Sequence, residues 1–264
     1  MAPLTRHTVG TVTLLGDATR PGGVTFAFTE RTGGVSAGPF ASLNLGDSCG
    51  DDPASVGENR LRALAALSPS ADSAKLINPR QVHGATVVSV TASDDQSIAE
   101  ARSAARAGAD AVAVAVPGVP VLLCFADCVP VVVVADGGFA VAHSGWKGTY
   151  ARISAAVVAE LSRITGAAPE TMRAYIGPHI TADAYEVDAE LASRFADAFG
   201  ADAIVGERNL DLAFCISSAL VDAGLAPDAI VDEHLSTTDT DRFFSYRASG
   251  GACGRHGALA IMEA

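Results

Sequence analysis

The sequence is short of positive charge. Eighteen Lys and Arg residues face 30 Asp and Glu, a formal net charge of −12 over 264 residues. Nucleic acids and anionic membrane surfaces reward basic patches, so neither is expected as a partner. Cysteine is scarce too: five, an odd number, scattered at Cys49, Cys124, Cys128, Cys215 and Cys253 with no framework of spaced pairs. The opening MAPLTRHTVG lacks the apolar stretch of a secretory leader. These features together predict reduced thiols and a cytoplasmic protein. Uninterrupted apolar runs of membrane length are missing as well. Residues 111–135 come nearest, but Asp127 and the breakers Pro117, Gly118, Pro120 and Pro130 divide them, and buried strands are expected instead. No repeat, low-complexity tract or linker splits the chain, so 1–264 reads as one mixed α/β (α+β) domain.

What is present is concentrated in residues 110–149. This is the most apolar stretch, yet it carries Cys128, Asp127 and His143 in its middle. Two runs, Val131–Ala135 and Phe139–Ala142, flank Asp136-Gly137-Gly138, the pattern of a β-hairpin. A turn centred on Gly137 pairs Val131 with His143 and leaves Cys128 about 10 Å away at strand rise. A thiol and an imidazole thus arrive at one end of one sheet, with small Gly145 and Gly148 leaving backbone room beside them.

Around this centre the chain alternates between element types. Strands are expected within 10–30, around an Arg20–Gly23 turn, followed by a long Gly/Ser/Asn loop from Phe28 to Pro53. Loops of that length are more often functional than idle. Asp52 caps a helix with Pro53 at its first position and Val56, Arg60, Leu64 and Leu67 at helical spacing. Residues 77–90 read as a strand with His83 near its start, and 92–108 as surface loop and short helix. Thr149 is a candidate cap for a helix carrying Ile153, Val157, Leu161 and Ile164, with Gly166 as its stop. MRAYIGPHI reads as a strand running into a Gly-Pro turn, 187–199 and about 210–223 as helices, and the tail from Arg242 as strand, Gly-rich turn and strand.

His83, Cys128 and His143 offer the N, S and N donors that a three-ligand catalytic zinc site takes, although their spacings of 45 and 15 residues match no short zinc motif. Three blocks around them are more telling. QVHG (Gln81–Gly84), FADCVP (Phe125–Pro130) and HSGWKGT (His143–Thr149) resemble the signature blocks of the laccase-domain family, first labelled polyphenol oxidases and now described as purine nucleoside phosphorylases. TERTGGVS, SLNLG, GDDP with ENR, YIGP, FFSYR and CGR agree in order, from about residue 26 onwards. The resemblance implies a layered αββα sandwich with mixed sheets and a zinc held by His83, Cys128 and His143. It also implies phosphorolysis of adenosine, inosine, guanosine and methylthioadenosine, with hydrolytic deamination of adenosine. Purine nucleosides and phosphate are then the partners. A monomer is expected, with nothing in the sequence fixing the oligomeric state. Ser144, Lys147, Phe125 and Cys253 depart from the commoner Ala, Arg, Thr and Thr. Lys147 keeps a positive charge but not the planar fork that grips phosphate in two places.

Phosphate needs cations gathered locally on an acidic protein, and Arg31, Arg60, Lys147, Arg247 and Arg255 are the candidates. Asp127, beside the candidate ligand Cys, is a catalytic candidate that orients a His ligand or moves protons. Asn44 and Ser42 are candidates to reach a ribose or base edge. Cys124 reads as core, and the nearness of Cys253 to His256 as incidental. One alternative is a metal-free Cys–His hydrolase, as in the deamidating necrotizing-factor toxins that this family resembles in fold. Its concrete form is an amidase acting on cytoplasmic peptidoglycan precursors, which has no need of His83. Copper-dependent phenol oxidation demands more histidines than the six present. A non-catalytic partner-binding role is the remaining class.

Overall fold

The structure is a computed structural model that describes residues 3–263. The ends of the expected 1–264 span, Met1–Ala2 and Ala264, lie outside the described residues. From the N-terminus come β1 (Thr5–Val9), β2 (Val12–Gly16), β3 (Val24–Thr29), α1 (Pro53–Leu67), β4 (Val87–Val90) and α2 (Asp95–Gly108). Then follow β5 (Ala111–Val114), β6 (Val121–Phe125), β7 (Val129–Ala135), β8 (Gly138–Ser144), α3 (Trp146–Tyr150) and α4 (Ile153–Thr165). The last third holds β9 (Arg173–Ile176), α5 (Ala189–Phe199), β10 (Ile204–Val205), β11 (Asn209–Leu210), α6 (Leu212–Asp222), β12 (Ile230–Asp232) and β13 (His256–Met262).

These elements stack in four layers. An antiparallel sheet runs in the order β1-β2-β3-β13-β6, and a mixed sheet in the order β12-β9-β7-β8-β5-β4. Between the sheets lies one core, with Phe26, Phe28 and Leu123 from the first meeting Val132, Phe139, Val141 and Tyr175 from the second. The opposite face of the first sheet packs Leu14, Leu122 and Leu259 on Ala63 and Leu64 of α1. The opposite face of the second packs Val131, Val133 and Ala140 on Val157 and Leu161 of α4 and Ile216 of α6. The expected αββα sandwich is the observed architecture, with one of its two main sheets mixed and the other antiparallel.

Local chemistry explains the elements. The Asp52 carboxylate accepts from the Ala54 and Ser55 amides, with Pro53 at the first helical position. Capping of this kind contributes about 1 kcal/mol. Gly166 ends α4 at φ +76°, a left-handed conformation that suits glycine.

Four sequence expectations are corrected. The 77–90 segment becomes a strand only at Val87, because Pro79 has no amide hydrogen and His83 sits at φ +60°. The hairpin turns on Asp136-Gly137, so Ala135 pairs with Gly138 and Pro130, not Val131, lies opposite His143. Thr149 caps nothing. It lies inside α3 with its hydroxyl on Ser144 at 2.8 Å, and the residue before α4 is Arg152 at φ +57°. The tail forms turns rather than a strand before β13: the Asp239 carbonyl accepts from the Arg242 and Phe243 amides and the Ser245 carbonyl from the Ser249 amide, which curls the segment away from any sheet. In addition, α2 runs for 14 residues where a short helix was expected, burying only Ile98, Ala101 and Ala105.

Candidate metal centre

The centre forms where β7, β8 and the loop before β4 meet. His143 lies on the last turn of the pleat of β8, 3% exposed, on the same face as Val141 and Phe139 and so towards the opposite sheet. Phe125 of that sheet stands against it, ring centres 5.4 Å apart. Cys128 precedes β7 directly. His83 is brought in by the loop, which a single backbone bridge at Ile77 and two side chains stitch to β6. Asn78 donates to the Leu122 carbonyl at 2.9 Å, and the Gln81 amide both accepts from Cys124 N–H and donates to its carbonyl.

One residue organises all of this. Asp110, 0% exposed at the mouth of β5, accepts from the Val82, His83 and Gly84 amides at 3.2, 2.9 and 2.7 Å. Three successive N–H groups make a cradle for a carboxylate. Its other contact is His143 Nδ1, at 2.8 Å. Burial alone would push the Asp110 carboxyl up, but the His143 ring and the Gly84 and Val82 amides outweigh it and hold the pKa below the ordinary value. With Nδ1–H donating to the Asp110 carboxylate, Nε2 is the ring nitrogen left free. The His83 and His143 rings meet edge to face at 4.8 Å, and one donor atom from each of His83, Cys128 and His143 lies within 4.8 Å of the others.

The donors also set each other's protonation. Burial raises the Cys128 thiol, yet the facing His143 and His83 imidazoles bring it down to about 6. Burial lowers His143, and the Cys128 sulfur and Asp110 outweigh that to raise it. Cys124 shows the opposite case, with burial pushing its thiol up to about 11. Gly145 leaves the gap in front of the sulfur: a Cβ there would stand 2.9 Å from Cys128 Sγ and 3.2 Å from His83 Cδ2. The donor set and this gap both suit a metal ion, and two imidazoles with a thiolate are ligands that zinc accepts. Among the described residues this is the one such group of three.

The centre lies in a cleft of about 790 Å³. Trp146, Ile180, Tyr185 and Tyr246 supply apolar and aromatic wall, and Arg80, Arg106, Arg247 and Arg255 supply charge. Asp127 also lines the cleft, but the carboxylate that orients His143 is Asp110, not Asp127. The Asp127 carboxylate is taken by the Thr237 and Ser245 hydroxyls and the Arg247 amide at 2.7, 2.6 and 2.7 Å.

Of the other candidates, the structure brings Arg247 and Arg255 into the cleft and leaves the rest outside its lining. Asn44 is fully buried, its amide spent on Gly46, Asp51 and the Arg255 amide, so it shapes the loop from within. Ser42 bonds the Gly34 amide. Arg31 grips the Ala41 and Thr240 carbonyls, and Arg60 the Leu45 carbonyl with Asp47 at 3.3 Å. Lys147 is exposed, its ammonium 5.4 Å from the Trp146 ring centre. Asp110, Arg80 and Arg106 were missed by sequence reasoning. A lone Asp opening the apolar AVAV run was the available signal for Asp110.

Fold and centre define a class: an αββα protein whose sheets bring a His–Cys–His donor set to the floor of a cleft. The family described as "Multi-copper polyphenol oxidoreductase laccase" matches residues 25–263, and the chain belongs to it. It is 40% identical over 242 residues to a purine nucleoside phosphorylase of Deinococcus radiodurans, covering 89% of this chain and 88% of that one. It is 34% identical to the adenosine deaminase RL5 of an unknown prokaryotic organism, over 87% of this chain and 90% of that one. The crystal structure of YlmD from Geobacillus stearothermophilus superposes with a TM-score of 0.85 at 29% identity, covering 99% of each chain. No helix among the described residues is long and apolar enough to cross a membrane.

Proposed function

We propose that this chain is a zinc-dependent purine nucleoside phosphorylase that also deaminates adenosine, with the cleft as its active site. The observation that carries the reading is the convergence of His83, Cys128 and His143 on one point, with Asp110 fixing His143 from behind. Relatives named purine nucleoside phosphorylase and adenosine deaminase support the substrate class, taken here as adenosine, inosine, guanosine and methylthioadenosine. When bound, zinc supplies Lewis-acid chemistry at the cleft floor.

The chain's own residues supply the rest. Asp110 accepts from His143 Nδ1–H and so presents Nε2 to the centre. Trp146 and Tyr185 offer aromatic surface against which a purine can lie. In phosphorolysis a phosphate oxygen bonds to the ribose C1′ as the C1′–N9 bond breaks, and its electron pair leaves with the purine. In deamination water adds at C6 and ammonia departs. Asp127 acts in this reading by holding the Ser245–Arg247 segment against the cleft, its oxygens being already engaged. A cytoplasmic setting, where thiols stay reduced, suits the five free cysteines.

The lowered Cys128 thiol facing the raised His143 imidazole, with Asp110 behind, favours one second reading. Both shifts run towards a thiolate beside an imidazolium, the equipment of a Cys–His amidase acting on peptidoglycan precursors. His83 separates the two. The test is adenosine turnover by purified protein, with chelator, with zinc restored, and in His83→Ala. Loss on chelation, recovery with zinc and loss in His83→Ala support the zinc enzyme. Full turnover in His83→Ala contradicts it.

A further inference from the structure

The cleft is positively charged on a protein that is not. Four guanidiniums line it against two carboxylates, Asp47 and Asp127, in a chain of net charge −12. Asp47 faces Arg60 and Arg106 at 3.3 and 3.1 Å. The Asp127 oxygens are held by Thr237, Ser245 and the Arg247 amide. The guanidiniums of Arg80, Arg247 and Arg255, by contrast, have no carboxylate partner among the described residues; Arg80 spends its own on the Arg106 and Ala107 carbonyls. The Arg247 guanidinium donates to the Glu186 carbonyl, at 3.3 Å, and leans on the Tyr185 ring at 5.2 Å. Arg255 donates through one terminal nitrogen to the Cys253 and Gly254 carbonyls, with the Tyr246 ring at 5.8 Å.

Both arginines are built in from below. The Arg247 amide is fixed by Asp127, next to Cys128, and the Arg255 amide by the fully buried Asn44 at 2.8 Å. The Arg255 stem lies across Gly46, where a Cβ would meet its Cγ at 2.6 Å. Aromatic rings and backbone carbonyls thus orient two guanidiniums while their charge stays uncompensated, and guanidinium forks match phosphate geometry. From this we infer that Arg247 and Arg255 form an oxyanion subsite that takes inorganic phosphate, and that Arg60 and Lys147 do not. The assignment rests on the phosphorolysis reading and gives it its second substrate. A phosphate ester on a nucleotide offers the same chemistry, so the test separates the two sources.

The experiment is calorimetric titration of the purified full chain, at low ionic strength, with inorganic phosphate and separately with adenosine 5′-phosphate. The proteins are wild type, Arg247→Met, Arg255→Met, both Arg→Lys variants and Lys147→Met, with melting curves confirming that each is folded. Inorganic phosphate binding to wild type, weakened at least tenfold in each Arg→Met variant and partly restored by Lys, supports the subsite. Lys147→Met is expected to stay within twofold. The inference is overturned by wild type that binds no phosphate, by Arg→Met variants that keep wild-type affinity, or by binding of adenosine 5′-phosphate alone. Calorimetry reads the subsite without turnover. Phosphate binding in a protein that leaves adenosine unchanged would defeat the phosphorylase reading and spare the subsite.

Discussion

At the scale of single residues, Asp110 sets the geometry of the centre. Removing a carboxylate that orients a metal-binding imidazole costs about 10–100-fold in metal affinity. Asp110→Asn is expected to lose zinc affinity in that range, measured by competition with a chromophoric chelator, and unchanged affinity would remove Asp110 from the account. His256 is the opposite kind of buried polar residue. It is fully buried between Phe125 and Phe243, and neither ring nitrogen makes a hydrogen bond. The Pro178 carbonyl favours its protonation from outside hydrogen-bonding geometry, too weakly to offset burial, which pulls the pKa down to about 3. The unfolded chain binds this proton near pH 6.5 and the folded chain does not. Stability is therefore complete above about 6.5 and falls as the pH drops towards 3, by about 1.4 kcal/mol per unit from this residue. Urea unfolding of His256→Leu between pH 7 and 4 should show a slope shallower than wild type by that amount, and equal slopes would count against it. Cys128, His143 and the Asp52 cap were legible in the sequence. Asp110 was not, because three of its partners are backbone amides 26–28 residues away, which leave no side-chain pattern to read.

At the scale of elements, the hairpin and the glycine after it decide whether three donors meet. The strands were legible from their Val-rich runs and the turn from its glycines. The register was not, since Asp-Gly-Gly permits a turn of two residues or three, and one step moves every side chain to the other face. Only the two-residue turn sends His143 towards Phe125 and the opposite sheet. Gly145 tests this arrangement. A methyl group in Gly145→Ala enters the space in front of Cys128 Sγ, and a displacement of about 1 Å in such a site costs on the order of 100-fold in rate. Adenosine turnover should fall by that order while the far-ultraviolet circular dichroism spectrum is unchanged; full turnover would mean that the sulfur has more room than the geometry allows.

At the scale of the whole molecule, the layer order was implied by family resemblance, not by periodicity. All seven residues of β7 and all seven of β8 are buried, so neither strand shows the alternation that tells an inner face from an outer one. Just past the end of β9, Gly177 lies against the other sheet, where a Cβ would stand 2.5 Å from the Phe28 ring. Gly177→Ala is expected to destabilise the protein by about 1–3 kcal/mol through overpacking, read as a lowered thermal midpoint. An unchanged midpoint would show that the sheets can separate freely. What this stacked architecture does with its cleft is read most directly from the products it forms. Purified protein is incubated with adenosine, with and without phosphate, and the products are separated by chromatography. Adenine that appears only with phosphate, and inosine in both incubations, is the predicted result. Unchanged adenosine from protein carrying one bound zinc would contradict the account.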